Sequence, residues 1–299
     1  MNRNTEKEGI IYILANTFLA GTFPVIAIIA LKSSAAMVVL LWSTFFAMLY
    51  FAFLLTLQRK WGEIRNIEAL KDALWTVAII GVAYQMLFFF GLSNTTAGNA
   101  SIMALSEIFF SFLFFCIWKK EYISGANIFG SFLIVVGALI ILLPALGEFH
   151  YGDLLILSAV AVAPVGNFFQ RRARTKVSGE MILFLRSFLS LLIFLVIASF
   201  FSVDYSWDKT KNNLLPLIIN GVIMLGIMKS FWLEAIHRIS VVKANAFGTL
   251  KPIVTLLTVW IFMHSPPTKA QLFSLIPISI GIFLLNYKNK QIINKKEVF

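Results

Sequence analysis

Ten apolar runs, each about 20 residues and so long enough to cross a hydrocarbon core, fill almost all of this 299-residue chain. They lie at roughly 9–30, 36–57, 71–92, 97–118, 125–146, 152–170, 179–201, 214–236, 241–264 and 269–287. No connection is longer than about a dozen residues, which leaves no room for a separate soluble domain. Lipid offers no hydrogen bonds to a bare backbone, so each run must cross as a helix. The expected fold class is therefore all-α integral membrane, with ten transmembrane helices.

Hydrophobic residues make up 59% of the chain and charged ones 13%, a balance that a water-soluble domain cannot bury. The net charge of +11 does not point to nucleic acid. The basic residues stand in short runs between apolar segments, not on one polar face. With the amino terminus placed inside, 17 lysines and arginines fall in inner segments and 4 (Lys32, Lys209, Lys211, Lys269) in outer loops. That asymmetry predicts a multi-pass protein of the cell inner (plasma) membrane with both termini cytoplasmic. The polar start, MNRNTEKEG, leads into an apolar run without a small-residue cleavage site, so a retained helix is expected, not a signal peptide. Cys116 lies alone in an apolar run, and His150, His237 and His264 lie at three different segment ends. No disulfide, metal site or other cofactor is expected from them.

Residues 9–146 and 152–287 align on one another at an offset of 144. The offset pairs Trp42 with Arg186, Gln85 with Lys229, Glu107 with Lys251, Ser124 with Thr268 and Gly137 with Gly281. Each half holds five runs. An odd number forces the second half into the membrane upside down, so the chain reads as two inverted five-helix repeats, an arrangement found in secondary transporters.

The stretch Trp118-Lys119-Lys120-Glu121-Tyr122-Ile123-Ser124, followed by Gly130 and Gly137, has an acidic residue after the fourth run and a glycine-spaced fifth. The stretch from Ala244-Asn245-Ala246 through Leu250-Lys251-Pro252, and Arg186 before Ser187-Phe188, are the corresponding marks of the second half. In these features the chain resembles the drug/metabolite transporter superfamily, and within it the EamA-type ten-helix transporters. Trp42 stands where the first half would carry the arginine, and Ile108 where the fourth helix would carry a proline. The resemblance implies movement of amino acids or related metabolites, without giving a direction.

Ionisable groups at bilayer depth are costly and usually mark a pathway. Glu107 stands near the middle of the fourth run, on a face with Ala100, Met103, Ala104 and Ser111. It is a candidate for binding a cationic group or a coupling proton; the competing reading is a fixed ion pair with Lys251 or Lys229. Lys251 is equally deep in the ninth run, on a face with Ala244, Gly248, Thr255 and Thr258 that suits a wet path. Pro252 beside it predicts a kink and a candidate gating element. Lys229 lies one turn from Trp232, and Arg186 lies about two turns inside the seventh run, where it is placed to snorkel to the interface. Gln85, Asn99, Asn167 and Gln170 are candidate hydrogen-bonders, with Asn16 and Thr22 weaker. Trp42 is the aromatic expected beside a cavity.

Deep positive groups outnumber negative ones, so an anionic or zwitterionic solute would suit the site. A G-x-x-x-x-G-K-[ST] loop is absent from the sequence, so ATP hydrolysis on this chain is not the expected driving force. The expected partners are a small-molecule substrate, the lipid bilayer and a coupling proton, with no nucleic acid; both a monomer and a homodimer are compatible. The expectation is a secondary transporter and not an enzyme. An integral-membrane enzyme and a passive channel for small polar solutes stand as alternatives.

Overall fold

In the computed structural model, residues 3–119, 125–142, 150–200, 210–239, 247–248 and 250–296 are described. They form ten helical spans and, among the described residues, no strand. The first five cover Arg3–Ser33, Ala36–Leu57, Ile67–Leu92, 97–119 and Gly125–Leu142. The second five cover Tyr151–Arg174, Gly179–Ala198, 214–238, Lys251–Met263 and Lys269–Lys296. Among the described residues, six of these helices are long and apolar enough to cross a membrane, and shorter apolar helices lie at Ile128–Gly137, Lys251–Met263 and Lys269–Leu284. The chain is an all-α membrane protein. Polar residues start three of the spans: Asn66, Thr96 and Ser178 each accept a hydrogen bond from the backbone N–H three residues on. That satisfies donors the first turn would otherwise leave bare.

Three spans depart from regular helices, and all three do so toward the middle of the bundle. The third is an α-helix to Thr76, a π-helix over Val77–Tyr84 and an α-helix again from Gln85. The eighth repeats the pattern, with a π-helix over Ile219–Ile227 and an α-helix from Met228. The fourth, expected to be continuous, is interrupted at Leu105 between Ala97–Ala104 and Ser106–Lys119. Around the break the N–H groups of Leu105 and Ile108 reach back only three residues, to Ile102 and Leu105. In the ninth span the helix starts at Lys251, with Leu250 in a turn. Pro252 therefore occupies the first turn, where its missing N–H costs no bond, and does not kink a longer helix as expected. Lys243 and the Ala244–Ala246 stretch lie outside the described residues.

The packing obeys an exchange rule between the halves. The first span packs on the eighth and ninth, and correspondingly the sixth packs on the third and fourth. The second packs on the seventh and the fifth on the tenth, pairs that map onto themselves. The glycines carry the same rule to atomic detail. A Cβ on Gly137 would stand 2.3 Å from Ile278 Cγ1 and 2.9 Å from the Ser274 carbonyl oxygen. A Cβ on Gly281 would stand 2.8 Å from Ile134 Cγ1 and 2.5 Å from the Gly130 carbonyl oxygen. Each of these partners is 144 residues from its counterpart. Gly137→Leu and Gly281→Leu are therefore expected to destabilise the protein alike, by about 1–3 kcal/mol each. Thermal unfolding of the two variants in one detergent checks this; a loss confined to one of them breaks the equivalence.

Candidate functional site

A cavity of about 180 Å³ opens where the irregular spans meet. Its wall is drawn from the first, third, fourth, sixth, seventh, eighth and ninth spans. Small residues make the room: Ala20, Ala104, Ala163 and Gly248 all face it. Most of the charge predicted for a pathway is here. Glu107, Lys229, Lys251 and Arg186 line the wall, with Gln85, Asn167 and Gln170 between them.

The local structure explains how these side chains arrive. Glu107 is the second residue of the helix that restarts after Leu105, so the break turns the fourth span's one deep acid toward the void. Asn167 on the sixth span donates from Nδ2 to Glu107 Oε1 at 2.9 Å. Neither Lys229 nor Lys251 closes an ion pair with this carboxylate, so the fixed pair that the charges alone allow does not form. The Lys251 ammonium lies over the Trp232 ring, 5.4 Å from its centroid. Gln85 and Lys229 are the first and second residues after the two π-helices. Asn16 on the first span donates to the Met228 carbonyl at 2.8 Å, anchoring the eighth span where the π-helix returns to α.

Four expectations are corrected. Trp42 is absent from the wall: its ring stacks on Phe46 at 5.9 Å and meets Phe45 edge-on at 5.8 Å, on the outer apolar core. A bulky apolar ring is better buried there than against a charged void. Asn99 is absent as well. Its amide donates to Asp153 Oδ2 at 3.3 Å and its Oδ1 accepts from Gln271 Nε2 at 2.9 Å, at the start of the fourth span. The threonines of the ninth span do not form a wet stripe. Thr255 donates to the Gly21 carbonyl at 2.5 Å, tying the ninth span to the first, and Thr258 donates back to Val254 at 2.7 Å. Arg186 does not snorkel: it is 2% exposed, against the third span. Pro252 is buried next to the wall and does not line it. Tyr84 was not legible as a candidate. The only signal in the sequence is a phenol beside Gln85, and the π-helix ending there carries both residues to the cavity.

Polar clusters stand at both ends of the bundle. At one, Asp72 is fully buried and accepts from Arg172 Nε at 2.8 Å and Lys176 Nζ at 3.2 Å, while Lys60 meets Glu180 at 3.4 Å. These contacts join the third span to the sixth and to the loop after it, and the loop after the second span to the start of the seventh. At the other, Asp153 is fully buried and accepts from Thr95 and Asn99, while Gln271 reaches in from the tenth span. Ala97, Ala100, Ile102 and Met103 beside this second cluster are at most 3% exposed.

Comparison with known proteins agrees with the duplicated architecture. Residues 7–143 and 150–287 each match the EamA-like transporter family. The uncharacterized transporter YvbV of Bacillus subtilis (strain 168) is 24% identical over 227 residues, covering 72% of this chain and 73% of that protein. A solved crystal structure superposes with a TM-score of 0.70 over 98% of this chain and 99% of its own, at 14% identity, a likeness of fold alone.

Proposed function

Starting from the membership of this chain in the EamA-like transporter family, a multi-pass membrane transport family, we propose that it is a secondary transporter of a small amino-acid-like metabolite, zwitterionic or anionic. The observation that carries the reading is the central cavity, in which one carboxylate and three cationic side chains from both halves face a common void. Charges held in this way, on four spans drawn from both repeats, suit a solute site where the repeats meet. Transport then proceeds by alternating access. The halves rock about the cavity, and the clusters at Asp72 and Asp153 make and break contact at the two ends. The excess of lysine and arginine on one side supports an inner (plasma) membrane placement with both termini cytoplasmic. Pro252, setting the start of the ninth-span helix behind Lys251, acts as a fixed point for gating.

The test is counterflow. Proteoliposomes are loaded with a mixture of unlabelled amino acids and short organic acids, and entry of each labelled compound is followed. A carrier gives saturable, transient accumulation of at least one compound. Linear flux without exchange, or no flux of any compound, overturns the carrier reading. Lys251→Met is the matched control. It removes a cation that meets an aromatic ring and no carboxylate, an interaction worth about 2 kcal/mol when desolvated. The variant is expected to fold and to lose about tenfold or more in counterflow. Collapse of thermal stability with transport affinity retained assigns Lys251 to packing instead.

A further inference from the structure

Of the four charged groups on the wall, Arg186 is the most enclosed. Glu107 has the Asn167 amide, and Lys251 has the Trp232 ring. Lys229 is partly exposed to the void at the head of its helix. Arg186 is 2% exposed, and its Nε and Nη2 have no hydrogen-bond partner. The acids described elsewhere are engaged at the ends of the bundle: Asp72 with Arg172 and Lys176, Glu180 with Lys60, and Asp153 with Thr95 and Asn99.

The fold goes to some length to admit this side chain. Gly81, within the π-helix of the third span, lies against it. A Cβ there would stand 3.0 Å from Arg186 Cγ and closer still to Ser190 Oγ. Any larger residue at this position would displace the arginine stem. Two further polar atoms are buried without partners: Ser190 Oγ, one turn on along the same helix, and Oε1 of Gln85, which shares the cavity wall with Arg186. A guanidinium stays charged at all accessible pH, and an unpaired buried charge is expensive, so an anion that reached Arg186 would be strongly favoured.

We propose that Arg186 is the substrate-anchoring residue of the cavity and that it binds the carboxylate of an organic solute. The inference rests on the carrier reading above and sharpens it. A planar carboxylate matches the forked donors of a guanidinium, and it enters a cavity whose one acid, Glu107, stands on a different span. Glu107 and Asn167 are then left to read the rest of the solute.

The experiment is a thermal-shift screen of detergent-solubilised full-length protein. The probes are the proteinogenic L-amino acids, their carboxamides, short mono- and dicarboxylates, and inorganic phosphate. At least one carboxylate is expected to raise the melting temperature of the wild type, with its amide without effect. Arg186→Gln is expected to weaken that response by about tenfold to a hundredfold in concentration, and Arg186→Lys to keep part of it. Without ligand, Arg186→Gln is expected to melt at or above the wild-type temperature, because it removes an unpaired charge. An Arg186→Gln response equal to that of the wild type overturns the proposal. So does stabilisation by amides as well as acids, by phosphate alone, or by no carboxylate at all. A carboxylate that binds through Arg186 and shows no counterflow leaves the anchor standing and defeats the carrier reading instead.

Discussion

Glu107→Gln is expected to reduce counterflow about a hundredfold while the protein still folds and inserts. The substitution keeps the shape and the hydrogen bond from Asn167, and removes the only carboxylate among the residues lining the cavity. Lys229, Lys251 and Arg186 would then surround the void with no internal counter-charge, and a hundredfold loss corresponds to about 2.7 kcal/mol. Uptake by proteoliposomes at matched protein content is the measurement. Kinetics equal to the wild type would remove Glu107 from the transport path and leave it as a structural acid. Glu107→Asp serves as the companion: it keeps the charge and withdraws it by one methylene, so partial activity is expected.

The largest expected effect on folding lies elsewhere, at Gly152. A Cβ on this residue would fall 2.3 Å from the Gly91 carbonyl oxygen and 2.4 Å from the Asn94 backbone. These are backbone atoms, so no side chain can swing aside. Gly152→Ala is expected to cost about 3 kcal/mol, at the upper end of ordinary overpacking, and to lower the melting temperature accordingly. It should also disturb the neighbouring Asp153 cluster and so impair transport. Gly62 provides the control, since nothing lies within 4 Å of a Cβ placed there, and Gly62→Ala should melt like the wild type. Equal melting of the Gly152 variant would mean that the third and sixth spans can separate at this contact without penalty. At Gly9 the close neighbours are side-chain atoms instead, Ile239 Cγ2 at 2.7 Å and Arg238 Cβ at 2.9 Å from an added Cβ.

Much of the site was legible because charge in an apolar run is conspicuous. Glu107, Lys229 and Lys251 stood out by composition alone, and Gln85 and Asn167 followed as the polar residues nearest in the repeat or on a facing span. Trp42 packs on Phe45 and Phe46 and not at the cavity. Its repeat partner Arg186 lines the cavity, but the offset that equates two backbone positions says nothing about which side chain gains from facing a polar void. Asn99 sits in the first turn of the fourth span, and there its amide is spent on Asp153 and Gln271 at the bundle's end. The ninth-span threonines were misjudged because a hydroxyl facing a neighbouring backbone is satisfied there without water, as Thr255 is by Gly21.

Hydropathy and the 144-residue echo by themselves determined that the chain is helical, embedded in lipid and built twice over, since a solvent without hydrogen bonds leaves the backbone one way to cross and an odd count of spans forces inversion. Tertiary structure decided what the charges face. Asn16 bonds the eighth span where its π-helix ends, Gly81 and Gly166 let the π-helix of the third span pack on the seventh and sixth, and Gly21 admits the Lys251 carbonyl where the ninth helix starts. Those long-range contacts, absent from any local pattern, separate a carboxylate from two lysines by a void instead of closing them into a pair.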